Sequence, residues 1–160
     1  MERKLADDGV TGKAARPMDL AFAEAIRARD LGEVPVGAVI VSADGELLAS
    51  ASNRTLSFRD PTAHAELLAI RAACAKLGSE RLIDCDLYVT LEPCAMCAAA
   101  ISFAHIRRLY FGASDPKGGA VEHGPRLFSQ ATCHHRPEIV GGLDESQAAS
   151  LLRDFFAGRR

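Results

Sequence analysis

No stretch of this chain approaches the roughly 18 consecutive apolar residues that a membrane-spanning helix requires, so no such helix is expected. The N-terminus, Met1 to Arg16, is polar and of mixed charge and lacks the apolar stretch of a secretory signal. The five cysteines (Cys74, Cys85, Cys94, Cys97, Cys133) are odd in number and lack a disulfide-scaffold spacing. Together these absences predict a cytoplasmic protein with no membrane partner. A surplus of charge is missing too: 19 basic residues face 21 acidic ones, for a net charge of −2. That excludes a nucleic-acid binder relying on bulk charge, though not one with a local basic patch. Internal repeats, low-complexity tracts and an interdomain linker are also absent.

What is present fits one domain with a proper core: 160 residues and 17.0 kDa, 48% hydrophobic and 25% charged. Residues 1–16 have no apolar periodicity and are expected to be a flexible leader, with a single domain over 17–160. From Pro17, the positions Met18, Phe22 and Ile26 recur at helical spacing to about Leu31. Val36 to Val41 and Leu47 to Ser52 read as strands joined by a turn at Ala43-Asp44-Gly45. A helix after Asp60-Pro61-Thr62 should close near Gly78. Leu87 to Leu91 is a short strand, Pro93 suits a helix start, and that helix continues from Cys94 to about Phe103. Leu109-Tyr110-Phe111 is a strand ended by Gly112. A loop covers 113–137, and Glu138 to Val140 is a last strand. Asp144 and Gln147 have capping-box spacing for a closing helix. Its apolar face is Ala148, Leu151, Leu152, Phe155 and Phe156. Strands alternating with helices predict an α/β layered sandwich.

Two short motifs carry chemistry: His64-Ala65-Glu66, then Pro93-Cys94-Ala95-Met96-Cys97. Residues three apart share a helix face, so Cys94 and Cys97 can grip one ion. Zinc favours two thiolates and an imidazole, and three protein ligands leave a fourth position for water. His64 and Glu66, two apart, do not share a helix face. Both address one ion only if the helix begins near Thr62 to His64, which makes Glu66 a neighbour of the bound water and not a ligand. Helix starts at both motifs would favour thiolate over thiol.

Each motif alone has other readings. A Cys-x-x-Cys pair can be a redox dithiol, although neither Trp nor Gly-Pro flanks this one, or two buried core cysteines. A closed structural zinc site would need a fourth ligand, for which His105, Cys133, His134 and His135 are available. Glu66 alone could be a solvated helix residue. His-x-Glu followed by Pro-Cys-x-x-Cys is nevertheless the joint signature of zinc nucleobase deaminases.

Around these motifs the chain resembles the bacterial tRNA-specific adenosine deaminases, over about residues 18–157. The matching segments are Glu33-Val34-Pro35-Val36-Gly37-Ala38, Asn53-Arg54, Asp60 to Glu66, Leu87 to Cys94, and the run Phe111 to Ala120. The last, with its Asp115-x-Lys117-x-Gly119-Ala120 loop, is the most discriminating. The resemblance implies a cytidine-deaminase-like three-layer α/β/α sandwich, with a five-stranded mixed sheet. It implies one zinc per subunit and a homodimer with active sites near the interface. The reaction it implies is hydrolysis of the wobble adenosine of a tRNA anticodon loop to inosine.

In that reading zinc-activated water attacks C6 of adenine, and Glu66 moves protons to N1 and to the leaving ammonia. Asn53 would bond the flipped base, with the Ala65 amide and the Glu92 carbonyl beside it. Asp115 would contact the sugar–phosphate, and Lys117, His134, His135, Arg136 and Arg153 are further candidate RNA contacts. Ser102-Phe103-Ala104-His105 departs from the Ile-His-Ser-Arg run common in relatives. Two rivals remain: a guanine or cytosine deaminase acting on free bases, and a non-catalytic zinc-stabilised RNA-binding module. The Asp115 to Ala120 loop argues against the first. A glutamate beside an open metal position has no use in the second.

Overall fold

The computed structural model describes residues 15–159, and most of the leader expected over 1–16 lies outside them. Residues Gly37–Val41, buried throughout, form β1, which pairs antiparallel with β2 (Leu47–Ser52) through a turn where Gly45 adopts φ +83°. The positive φ is why glycine follows Asp44 there. On its other side β1 pairs antiparallel with β3 (Asp86–Leu91), which runs parallel to β4 (Arg108–Ala113). That strand in turn runs parallel to β5 (Glu138–Val140). The order is β2-β1-β3-β4-β5, the five-stranded mixed sheet expected.

Helices cover both faces. α3 (Ala65–Leu77) and α4 (Ala95–Phe103) bury Ala65, Ala69, Ile70, Ala73, Ala98 and Ile101 with Ala38, Ile40, Leu87, Val89, Leu109 and Phe111 of the sheet. α1 (Pro17–Asp30) and α5 (Glu145–Ala157) cover the opposite face through Met18, Ala21, Phe22 and Ala148, packed with Val39 and Ala113. The alanine-rich helix faces let the layers close tightly. Gly78 ends α3 in the left-handed conformation, as its position predicts. Among the described residues no helix is long and apolar enough to cross a membrane.

Several sequence expectations are corrected. Ile26 does not continue the buried face of α1; it is 38% exposed, and Ala25 and Ala28 carry that face instead. Gly112 does not end β4. It lies within the strand, where a Cβ would approach the Thr90 carbonyl and the Ala148 side chain, so it marks the close approach of α5. Asp144 does not cap α5 with its side chain: its backbone is left-handed (φ 54°), and its carboxylate accepts from Arg16 at 2.9 Å. The left-handed backbone turns the carboxylate away from the helix amides, and it pairs with the guanidinium instead. Phe156 is 53% exposed, and the half-buried Phe155 lies beneath the Arg159 guanidinium at 4.0 Å, so the apolar face of α5 is only partly core. Two short elements escaped the periodicity reading: α2 (Thr55–Phe58) and a 3-10 turn at Leu127–Ser129. A single turn shows no repeat of an apolar pattern.

Gly37 permits the contact between sheet and α1, since a Cβ there would fall on the Ala21 carbonyl and within 2.5 Å of the Ala25 amide nitrogen. Gly37→Ala should lower the unfolding free energy by roughly 1–3 kcal/mol. Urea denaturation checks this, and an unchanged midpoint would refute the close-approach reading.

Candidate active site

The two motifs meet at paired helix starts. His64 is the residue just before α3, with extended backbone (φ −76°, ψ 150°), and Glu66 sits in the first turn. Because His64 lies outside the helix, the helical rule separating residues two apart does not apply to it. Both side chains line one cavity. Cys94 likewise precedes α4 in extended backbone (φ −72°, ψ 174°), with Cys97 on the first turn. Its carbonyl accepts the first helical bond from Ala98 at 2.8 Å. The helix therefore starts one residue later than the sequence suggests, and the thiol faces the site from a capping position. Both helix N-termini place partial positive charge toward the cavity, favouring thiolates and a carboxylate.

The His64 Nδ1 atom lies 3.6 Å from Cys94 Sγ and 3.6 Å from Cys97 Sγ. Zinc–sulfur and zinc–nitrogen bonds of ordinary length at a tetrahedral angle require about the same separation, ~3.6 Å. All three ligand atoms lie within 4.8 Å of one another. The donor set and its geometry thus fit one zinc ion held through Nδ1 and two sulfurs. Among the described residues it is the only such grouping, and His105, Cys133, His134 and His135 are not part of it.

A hydrogen bond from the Cys97 thiol, with a second contribution from His64, holds Cys94 down at about 4, while the same bond and burial push Cys97 far up. The bond to Cys94 raises His64 against the effect of its burial. Glu66, 4% exposed, has its carboxyl raised, foremost by burial. Thiolate ligation must release the remaining proton, so zinc binding weakens as pH falls.

The cavity has a volume of about 320 Å3, at the low end of the roughly 300–1,000 Å3 common for small-molecule sites. Val34, Val36 and Leu91 supply apolar walls, and Asn53, Thr55, Ala65, Glu92, Asp115 and Gly118 complete it. Asn53 is buried; its backbone N–H donates to the Val36 carbonyl at 3.0 Å and its side-chain amide to that of Val34 at 3.4 Å. Asp115 caps its own loop, with Oδ1 accepting from the Lys117 and Gly118 amides at 3.2 and 2.9 Å.

The other predicted contacts lie elsewhere. Lys117 is exposed outside the cavity lining. His134 and His135 line a second cavity with Ser102, Phe103 and His105, and His135 Nε2 bonds the Ile106 carbonyl at 2.7 Å. Arg136 donates to the Gln130 carbonyl at 3.2 Å, and Arg153, on α5, to the Ser150 hydroxyl at 3.0 Å.

Sequence reasoning missed two buried carboxylates. Glu33, 0% exposed, accepts the Leu56 amide of α2 at 2.8 Å and so braces the segment carrying Asn53 and Thr55. The side chain of Glu92 is also fully buried, although only its carbonyl was singled out. The available signal was a charged residue flanking an apolar run: Glu33 before Val34 to Val41, and Glu92 after Leu87 to Leu91.

Purified protein should contain one zinc per chain by metal analysis, and His64→Ala should lose both metal and stability. Ser at Cys74, Cys85 or Cys133 should leave the zinc in place. Zinc retention, measured by competition with a chelator, should fall on acidification; retention independent of pH would speak against thiolate ligands.

Residues 12–113 match the family model described as the cytidine and deoxycytidylate deaminase zinc-binding region. A tRNA-specific adenosine deaminase of Agrobacterium fabrum is 61% identical over 143 residues, covering 89% of this chain and 93% of its own length. A solved structure from a study of A-to-I editing by tRNA:A34 deaminases at the wobble position of transfer RNA has 61% identity and a TM-score of 0.83. It covers 85% of this chain and 98% of that one. Guanine deaminase from Bacillus subtilis is more distant, at 34% identity and a TM-score of 0.61, covering 89% of this chain and 91% of that one. Paired helix starts presenting one histidine and two cysteines, a buried glutamate beside them and these likenesses agree: the chain belongs to the tRNA-specific adenosine deaminases, within the zinc-dependent cytidine and deoxycytidylate deaminase family.

Proposed function

We propose that this protein hydrolyses the wobble adenosine of a tRNA anticodon loop to inosine, releasing ammonia. The observation that carries the reading is the buried Glu66 on the cavity that His64 and Cys94 of the tripod also line, with three ligands and, among the described residues, no fourth. When bound there, zinc supplies the electrostatic pull that makes water a nucleophile near neutral pH. Glu66 takes one proton from the attacking water and delivers it to adenine N1. It then carries the second proton to the departing amino group, so water and adenosine leave as inosine and ammonia. Val36 and Leu91 flank the base, and Asn53 and the Ala65 amide bond its edge. The Glu92 carbonyl is a further base contact.

Asp115, an acceptor only, suits a sugar hydroxyl and would repel a phosphate. The exposed Lys117, His134, Arg136 and Arg153 are offered to the RNA backbone, and His135 supports its neighbours from a fixed position. An unpaired anticodon base is extruded without breaking a duplex pair, which suits a cavity of this size. Such a substrate belongs to the cytoplasm. The chain's net charge of −2 favours a homodimer that pools basic loops. The 79% exposed Phe103 at the second cavity is the kind of apolar surface that a second copy covers.

Likeness to guanine deaminase favours a second reading, deamination of a free base. Incubation with bulk tRNA, followed by sequencing for A-to-G changes at wobble positions, should show editing. Parallel assays on free guanine, adenine and cytosine should release no ammonia. The reverse result selects the second reading.

Glu66→Gln should fold, keep its zinc and bind tRNA, yet deaminate roughly 10²–10⁴-fold more slowly. Near-normal editing by that variant would end the proton-shuttle assignment. Sedimentation at micromolar concentration should give a dimer; a fully active monomer would overturn the assembly.

A further inference from the structure

Glu92 follows β3 and precedes Cys94 by two residues, and its side chain is 0% exposed. Five donors converge on its carboxylate. Oε1 accepts from the Asp115 amide at 3.1 Å and bonds His123 Nδ1 at 2.7 Å. Oε2 accepts from the amides of Val121 at 3.2 Å, Glu122 at 3.1 Å and His123 at 3.2 Å. All five come from one segment, Asp115 to His123, and the three successive amides form an anion-binding nest filled by a side chain of the same molecule.

The loop's sequence is shaped around that carboxylate. A Cβ on Gly119 would lie 2.5 Å from Glu92 Cδ and 2.6 Å from the Asp115 carbonyl oxygen, so only glycine fits. The Gly119 amide closes a turn onto the Asp115 carbonyl at 2.9 Å, and the Ala120 amide reaches the Pro93 carbonyl at 2.9 Å. The same loop supplies Asp115 and Gly118 to the cavity wall. A segment with two successive glycines, Gly118 and Gly119, and no regular secondary structure would otherwise sample many conformations.

We propose that Glu92 is a positioning residue for substrate. Its carboxylate locks the Asp115–His123 loop in the substrate-receiving conformation, so that RNA need not pay for ordering it. The inference rests on the RNA-substrate reading above. It assigns the anticodon-facing wall to a residue anchored beside the metal tripod, which joins substrate recognition to the reaction centre through one short stretch, Glu92-Pro93-Cys94.

The test uses Glu92→Gln, which keeps the shape but turns an NH2 group toward N–H donors, and Gly119→Ala, which crowds the carboxylate from the loop side. Each should retain one zinc per chain. Each should raise KM for an anticodon stem-loop RNA by about tenfold or more, with kcat altered less than about threefold. Amide hydrogen exchange at Val121, Glu122 and His123 should speed up in both. The double variant should be no worse than the poorer single one, because both changes break a single contact.

Unchanged exchange rates, or a kcat loss with zinc release and no KM change, would overturn the proposal. So would full additivity of the two substitutions. If the wild-type protein fails to edit the stem-loop, the substrate reading falls by itself, while the exchange measurement still decides whether Glu92 anchors the loop. Should Glu92→Gln fail to fold, Gly119→Ala, with the carboxylate intact, tests the same contact through the same KM and exchange measurements.

Discussion

The site depends on two helix N-termini being brought to one point. α3 and α4 lie on the same face of the sheet, packed through alanines, and each starts with a metal-ligand candidate in extended backbone. That arrangement frees His64 and Cys94 from helical periodicity and lets them face Cys97 across 3.6 Å and less than 4.8 Å. It also points unsatisfied backbone amides at the cavity, a setting that favours anionic ligands and a developing negative charge. Shifting either helix by a single residue would rotate its cysteine or glutamate by about 100° and dissolve the tripod. The small side chains at the helix–sheet contacts are therefore as much a part of the site as the ligands.

Three buried carboxylates surround the cavity, and the fold uses them differently. Glu92 is taken up by the amides of the Asp115–His123 loop, and one oxygen of Glu33 by the Leu56 amide of α2, so each braces one wall. Burial raises Glu92, but the amides and His123 outweigh it and hold the group below the usual carboxylate range. Glu66 has no comparable set of loop amides, and burial dominates its environment. A buried carboxylate without structural duties is costly to a fold. It becomes useful where protons must be moved away from bulk water. Two of these groups brace the walls, and the third is the one proposed above to move protons.

This chain shares its fold both with a tRNA:A34 deaminase and, more distantly, with a guanine deaminase, so the fold alone does not choose the substrate and discrimination falls on the walls. Here the relevant wall is the loop after β4, which Glu92 ties down from beneath. Asp115 spends one oxygen on its own turn, which orients the carboxylate and leaves the other free of that turn. Recognition of a ribose hydroxyl needs an oriented acceptor, and a loop sampling many shapes would give affinity away to ordering.

Much of the molecule was legible in the sequence. The order of strands and long helices followed from apolar periodicity and from Gly45 and Gly78, and the tripod with Glu66 followed from ligand identity and spacing. These features are local, or rest on motifs whose chemistry allows few alternatives. Other features were decided only in three dimensions. Asp144 gave up its capping role because Arg16, distant in sequence, offers a charged partner. Gly112 stayed inside β4 because α5 presses against it. The side chain of Glu92 gained its role from five donors more than twenty residues away. Periodicity and spacing describe a chain's relation to itself over a few turns. The partners of a buried polar group are set by which distant segments the packed layers bring within hydrogen-bonding reach, and that is determined by tertiary structure.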